Sequence, residues 1–218
     1  KKGIRIAFSD DQGGFAPVEA EVRDILAAAM KTAESAGMIV EEACPEMPAL
    51  YDSYVALRGM HYGAVNNFVP DEVKQHFKPT LKDNIAVGVN QSSHDIYLAQ
   101  RGRTEVYQQM RVFLEGYDVL AIPVVGLEPT LVEQEWPAAV DGIELPDYVD
   151  WLRFSFLATT AALPALAMPA GFTKSGMPIG IQLVGPPKGD ALVLQVGLAL
   201  ERALNLPKTP IDPNVLHR

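Results

Sequence analysis

A short turn, Thr173-Lys174-Ser175-Gly176, separates two apolar runs, Leu166-Ala167-Met168-Pro169 and Ile179-Gly180-Ile181-Gln182-Leu183-Val184. Runs of this length bounded by Gly, Pro and Ser read as two strands with hairpin character. The N-terminal end reads differently. Ile4-Arg5-Ile6-Ala7-Phe8 alternates as a strand and enters a loop at Ser9-Asp10-Asp11-Gln12-Gly13-Gly14. Pro17 then opens a helix to about Ser35, with Val22, Ile25, Leu26, Ala29 and Ala33 at helical spacing and Gly37 as its stop. Met38-Ile39-Val40-Glu41 is a second short strand, which makes the opening a βαβ-like unit. Strands interleaved with helices, with hairpin character near the end, argue an α/β class.

Between these ends the chain is mostly helical. One helix is expected from Pro48 to about Val69, another from Leu81 to Val89, and a long one from Ser92 to Glu115. Ser92 or Ser93 is the N-cap of the last, with Asp95 in its first turn. Tyr117-Asp118-Val119-Leu120-Ala121-Ile122-Pro123 reads as a buried strand. The loop to Pro146 is long and rich in Pro, Gly and acid, and loops of that length are functional or mobile. A helix is expected from Leu145-Pro146-Asp147 through Thr160, and a last amphipathic one from Gly189 to Asn205 with Asp190 as its cap. The tail, Leu206 to Arg218, is expected to wrap in extended form.

Composition excludes several classes. With 48% hydrophobic residues over 218 positions, the chain can bury a substantial core. The most apolar stretch, Phe154 to Ala170, is broken by Pro164 and Pro169, so no membrane span is expected. The net charge of −9 lies in one stretch: nine acidic and no basic residues fall between Val112 and Leu152, and the remainder balances at 18 of each sign. No clustered basic face is available for nucleic acid. The acidic run reads as a solvated loop. The single cysteine, Cys44, permits no intrachain disulfide and fits a cytoplasmic setting. Its acidic neighbours would raise the thiol pKa, which argues against a nucleophile. The chain begins with Lys and is expected to be a trimmed or processed piece.

No motif assembles an active site. His61, His76, His94 and His217 have no metal-ligand spacing, so no metal is expected. Asp11-Gln12-Gly13-Gly14 lacks a phosphate-loop pattern and reads as a turn. Asp147 and Asp150 would share one helix face, a geometry compatible with acid–base work but ordinary near a helix start. Ser92-Ser93-His94 reads as a cap rather than a catalytic pair, and no G-x-S-x-G is present.

Several segments in order nevertheless resemble the C-terminal half of the amidase signature family. They are Ile4 to Ser9, Tyr117 to Pro123, Asp150-Trp151-Leu152-Arg153-Phe154, Leu163-Pro164-Ala165-Leu166-Ala167-Met168-Pro169-Ala170-Gly171-Phe172, and Gly176-Met177-Pro178-Ile179-Gly180-Ile181-Gln182-Leu183-Val184-Gly185. The last two are the specific blocks. The resemblance covers nearly the whole chain. It implies the C-terminal part of a mixed-sheet fold with helices covering both faces, residues 1–218 being one portion of a larger domain.

The implied activity is hydrolysis of an amide C–N bond through a serine acyl-enzyme, without cofactor or metal. The family's Ser, cis-Ser and Lys lie in the missing N-terminal half, so no catalytic residue is carried over. Ile85, Ile122, Trp151 and Phe154 are pocket candidates by analogy, although core packing also accounts for Trp151 and Phe154. Partners implied are a small-molecule amide, the missing N-terminal half or a companion chain, and a second copy in a homodimer. Departures from the pattern at Ile122-Pro123-Val124, Thr159, Ala162 and Ala167 remove polar groups and point to an apolar or unusual substrate. The tRNA-dependent amidotransferase branch carries an Arg near Asp83-Asn84 and an Asp near Leu152. Neither is present here, which disfavours that branch. The alternative is a catalytically inactive binding or assembly module.

Overall fold

The computed structural model describes residues 3–207. The chain order is β1 (Arg5–Phe8), α1 (Ala20–Ser35), β2 (Ile39–Glu42), α2 (Leu50–Asn66), α3 (Asp71–Lys74), α4 (Pro79–Asn90), α5 (Ser93–Phe113) and β3 (Val119–Pro123). Then come β4 (Ala139–Val140), β5 (Ile143–Glu144), a 3-10 turn (Asp150–Ser155), α6 (Phe156–Ala161), β6 (Ala165–Phe172), β7 (Pro178–Val184) and α7 (Asp190–Leu204). The α/β class and the mixed sheet are as expected. The expected extended wrap of the tail lies outside the described residues beyond Pro207.

Five strands form one sheet in the order β2-β1-β3-β7-β6. β1 runs parallel to both β2 and β3. β7 runs antiparallel to β3 and to β6. All five residues of β3 are buried, so both faces of the central strand are covered. α1 and α7 pack on each other and on β6 and β7. α2, α4, α5 and α6 form a second helical group. β6 is the outermost strand of this sheet, and Pro169, which cannot donate to a ladder, sits at the irregularity in its pairing with β7. The register of β6 on β7 slips between Pro169 and Gly171.

α2 and α4 cross closely because both are glycine at the contact. A Cβ on Gly88 would fall on the Gly59 carbonyl, and one on Gly63 would press on the Gly88–Val89 backbone. α5 begins as expected. Ser92 Oγ accepts from the Asp95 N–H and Asp95 Oδ2 accepts from the Ser92 N–H, a reciprocal capping box.

Some sequence expectations need correction. The helix expected from Leu145 to Thr160 starts late, as a 3-10 turn at Asp150 followed by the short α6. The Asp150 carboxylate accepts the Asp147 N–H at 3.0 Å and two Arg153 N–H groups at 2.7 and 3.1 Å. This network binds the chain into a tight turn before a helix can form. Asp190 is the first residue of α7, not its cap, which is Gly189. The acidic loop is not featureless. β4 and β5 form a two-residue hairpin around Asp141-Gly142, both at positive φ (50° and 77°). The Asp-Gly pair is the sequence signal for such a turn.

Candidate functional site

The long loop after β3 folds back over the start of β7 and reaches the helical group. Two adjoining concavities result. The first is an apolar slot of about 130 Å³ lined by Val125, Trp136, Pro137, Trp151 and Ile179, with Glu128 and Glu135 at its margin. Val125, Trp136 and Trp151 pack on a small satellite core of Leu127, Val140 and Leu145, which the β4–β5 hairpin completes. The Trp151 indole N–H is buried and has no hydrogen-bond partner among the described residues. The second is a polar crevice of about 220 Å³ lined by Arg58, Tyr62, Lys78, Thr80, Asn84, Glu135 and Tyr148.

The two share Glu135. Its carboxylate accepts from Thr80 Oγ1 at 2.8 Å and faces Lys78 Nζ at 3.8 Å, which ties the acidic loop to the start of α4. A perpendicular contact between Tyr148 and Trp151, with ring centroids 6.3 Å apart, joins the two walls. Arg58 Nε donates to Asn84 Oδ1 at 2.9 Å, and its guanidinium lies 4.6 Å from the Tyr62 ring centroid. Asn84 is itself oriented by donating to the Thr80 carbonyl at 2.8 Å.

Below the site lies a buried charge network. Asp150 is 1% exposed and receives Tyr51 Oη at 3.1 Å besides Arg153 and the Asp147 N–H. Arg153 also donates to the Phe15 carbonyl at 3.1 Å. Burial, and then the Asp150 carboxylate, push the Tyr51 hydroxyl up to about 12. Asp147 and Asp150 are therefore parts of a turn, not a pair open to a substrate.

Of the four pocket candidates, Trp151 lines a concavity. Ile122 and Phe154 are interior, at 0% and 2% exposure, within the main core. The Phe154 carbonyl accepts from Gln182 Nε2 at 3.2 Å. Ile85 is half-buried on α4 beside Asn84. Sequence reasoning missed Arg58, Tyr62, Trp136 and Tyr148. No arginine stands near Asp83-Asn84 in the sequence, yet α2 delivers the Arg58 guanidinium onto Asn84. A helix-to-helix contact of this kind leaves no local signal.

The other candidates serve the fold. Burial, more than the neighbouring Asp11, pushes the Cys44 thiol up to about 12. The thiol is therefore an inert side chain at neutral pH. In the turn after β1, Ser9 Oγ and Asp11 Oδ1 accept the Gly13 and Gly14 N–H groups, while the buried Gln12 side-chain amide has no hydrogen-bond partner among the described residues. Among the described residues, no group of three or more His, Cys, Asp or Glu could hold a metal ion. No helix among them is long and apolar enough to cross a membrane. Neither concavity holds a serine or cysteine beside a base.

Residues 1–194 match the family model described as Amidase. This chain belongs to the amidase family. It is 26% identical over 203 residues to a putative amidase of Synechocystis sp., covering 92% of this chain and 38% of that protein. It is 27% identical over 233 residues to a glutamyl-tRNA(Gln) amidotransferase subunit of Halothermothrix orenii, covering 94% of this chain and 46% of that one. The fold is that of a bacterial aryl acylamidase of the amidase signature enzymes, with a TM-score of 0.82 at 22% identity over 93% of this chain and 44% of that one. The chain thus spans less than half the length of these relatives. At such levels, identity ranks the amidase and the amidotransferase equally.

Proposed function

We propose that residues 1–218 are the C-terminal portion of an amidase-signature hydrolase that cleaves an amide C–N bond through a serine acyl-enzyme. The chain supplies part of the sheet, its covering helices and one wall of the substrate pocket. The nucleophilic serine, its serine relay and the lysine belong to an N-terminal half outside this sequence. In that scheme a neutral lysine takes a proton through the bridging serine as the nucleophile attacks the carbonyl. The proton passes to the leaving amine, and water then releases the acyl group. The slot of Trp136 and Trp151 and the crevice beside it are the pocket wall, with Trp151 as the candidate that contacts substrate.

The observation that carries this reading is the β6 edge. Eight residues, Ala165-Leu166-Ala167-Met168-Pro169-Ala170-Gly171-Phe172, carry no charge, and among them Ala165, Ala167, Pro169 and Phe172 are exposed. Beside them, Leu194 and Leu198 of α7 are 61% and 46% exposed, and a groove of about 400 Å³ runs between strand and helix. An apolar, uncharged edge strand is a pairing template that proteins otherwise blunt with charge. The length of the family's members supplies what would pair there. A companion chain in place of a covalent N-terminal half leaves the same chemistry.

The test is the intact mass of the native gene product, followed by assay of that product on a panel of aryl and alkyl amides. A serine-directed fluorophosphonate should label a serine outside these 218 residues and abolish turnover. A native product of this length with no companion chain and no amide turnover would refute the proposal and leave a binding or assembly module.

A further inference from the structure

We infer that the slot lined by Trp136 and Trp151 is a binding site for an organic cation, a quaternary ammonium group. The first observation is its walls. The chain has two tryptophans, and both line this one slot of about 130 Å³. Trp151 is half-buried while its indole N–H is fully buried, so the ring surface it offers is carbon. Tyr148, perpendicular to it at 6.3 Å, holds the indole from the crevice side. A cation over an aromatic face is attracted by the ring quadrupole, and tryptophan is the strongest such partner.

The second observation is the scarcity of donors. Pro129, Pro137 and Pro178 supply much of the remaining wall, and proline has no backbone N–H to give. Among the described residues, no Lys, Arg or His lines the slot. Charge is the third. Glu128 and Glu135 stand at the margin. Glu135 is shared with Thr80 and Lys78. Glu128 accepts from Ser175 Oγ at 2.9 Å, and among the described residues no basic side chain pairs with it. Its own N–H donates to Glu19 Oε2 at 3.0 Å, which brings a further carboxylate beside it. Both tryptophans and both marginal glutamates lie between Val112 and Leu152, the stretch with nine acidic and no basic residues. Such a field draws cations toward the slot.

The form of the cation follows from the same walls. A primary ammonium needs acceptors for three N–H groups, and here the carboxylates stand only at the margin. A quaternary ammonium has no N–H to satisfy and sets methyl groups against the rings. As a statement about substrate, this rests on the hydrolase proposal and gives the amide a quaternary ammonium group. As a binding site it stands independently.

The test uses the full-length protein and two probes that contain no amide. They are choline and 3,3-dimethylbutan-1-ol, which share size and shape and differ in charge. Calorimetry should show choline binding about tenfold tighter, the scale of a desolvated cation–π contact. Trp136→Leu should erase most of that gap, and Trp136→Phe should restore part. Glu128→Gln should narrow it about two- to fivefold, the scale of a partly exposed ion pair. Should Trp136→Leu fail to fold, N-bromosuccinimide oxidation of the wild type gives the same answer. Choline should protect the Trp136 peptide and the alcohol should not.

Equal affinity for both probes, equal protection by them, or a preference undiminished by either Trp136→Leu or Glu128→Gln overturns the inference. Turnover of neutral acetanilide, measured in parallel, separates the two readings. A choline preference without acetanilide turnover upholds the site and counts against the hydrolase. Acetanilide turnover with equal probe affinities removes the site and leaves the hydrolase.

Discussion

Replacing Asp150 should destabilise the protein more than any other single carboxylate change in this chain. Its side chain has 0% exposure, and that of Arg153 has 27%. Four donor groups converge on it: Tyr51 Oη, the Asp147 N–H, and Arg153 Nε and Nη2. Asp150→Ala leaves a half-buried guanidinium without its counter-ion and two neutral donors unpaired. Breaking a buried ion pair from one side costs about 3–5 kcal/mol, mostly the desolvation of the charge left behind. Asp150→Asn keeps the shape and one acceptor, so its loss should be nearer ~2 kcal/mol, the scale of a hydrogen bond to a charged group.

The assay is denaturant unfolding of the full-length protein followed by two probes with coincident transitions. Arg153→Met alone should also destabilise. The pair Asp150→Leu with Arg153→Met should cost well below the sum of the singles, because neither charge is then stranded. A second readout is specific to the electrostatic argument. In Asp150→Asn the Tyr51 hydroxyl, pushed up to about 12 in the native protein, should titrate lower, since the carboxylate is among the causes of the shift. A loss below about 1 kcal/mol for Asp150→Ala, or strict additivity of the two singles, would refute the view that this pair organises the turn.

Gly88→Ala should destabilise by about 1–3 kcal/mol or more by driving α4 away from the Gly59 carbonyl, measured by the same unfolding assay, while Gly142→Ala, with open space around it, should change only the local turn. Cys44 should alkylate with iodoacetamide at pH 8 about a thousandfold more slowly than in the unfolded chain, because the thiol is pushed up to about 12. The linked stability is complete below the usual thiol pKa of about 8.5 and falls as pH rises from there toward 12, by about 1.4 kcal/mol per unit; Cys44→Ala should flatten that decline. Ala167→Lys on the exposed edge of β6 should lower the stability of the full-length protein and raise the solubility of the isolated 218-residue chain. An unchanged full-length protein would mean that nothing pairs on that edge.

The extent of several elements followed local chemistry, and so it could be read before the fold. The helix expected over Leu81–Val89 is α4, Pro79–Asn90, and Ser92 and Asp95 open α5 as expected. The error over Leu145–Thr160 came from the same source. The pattern there is helical, but Arg153 and the Asp147 N–H close on a buried Asp150 and tighten the backbone. Trp151 was legible as a candidate because it sits in a recognisable block. Arg58 was not, because a guanidinium on α2 acquires its role only where α4 brings Asn84 against it.

By itself, then, the sequence determined the α/β class, the order of the main strands and long helices, and the family, because hydrophobic period, caps and turn residues act over a few positions. Tertiary structure alone decided which strand became an apolar edge, which helices cross through Gly59 and Gly88, and which charges meet in the crevice. These depend on contacts between residues far apart in the chain. Glu135 and Thr80 are 55 positions apart and Tyr51 and Asp150 are 99 apart, so no local pattern records them.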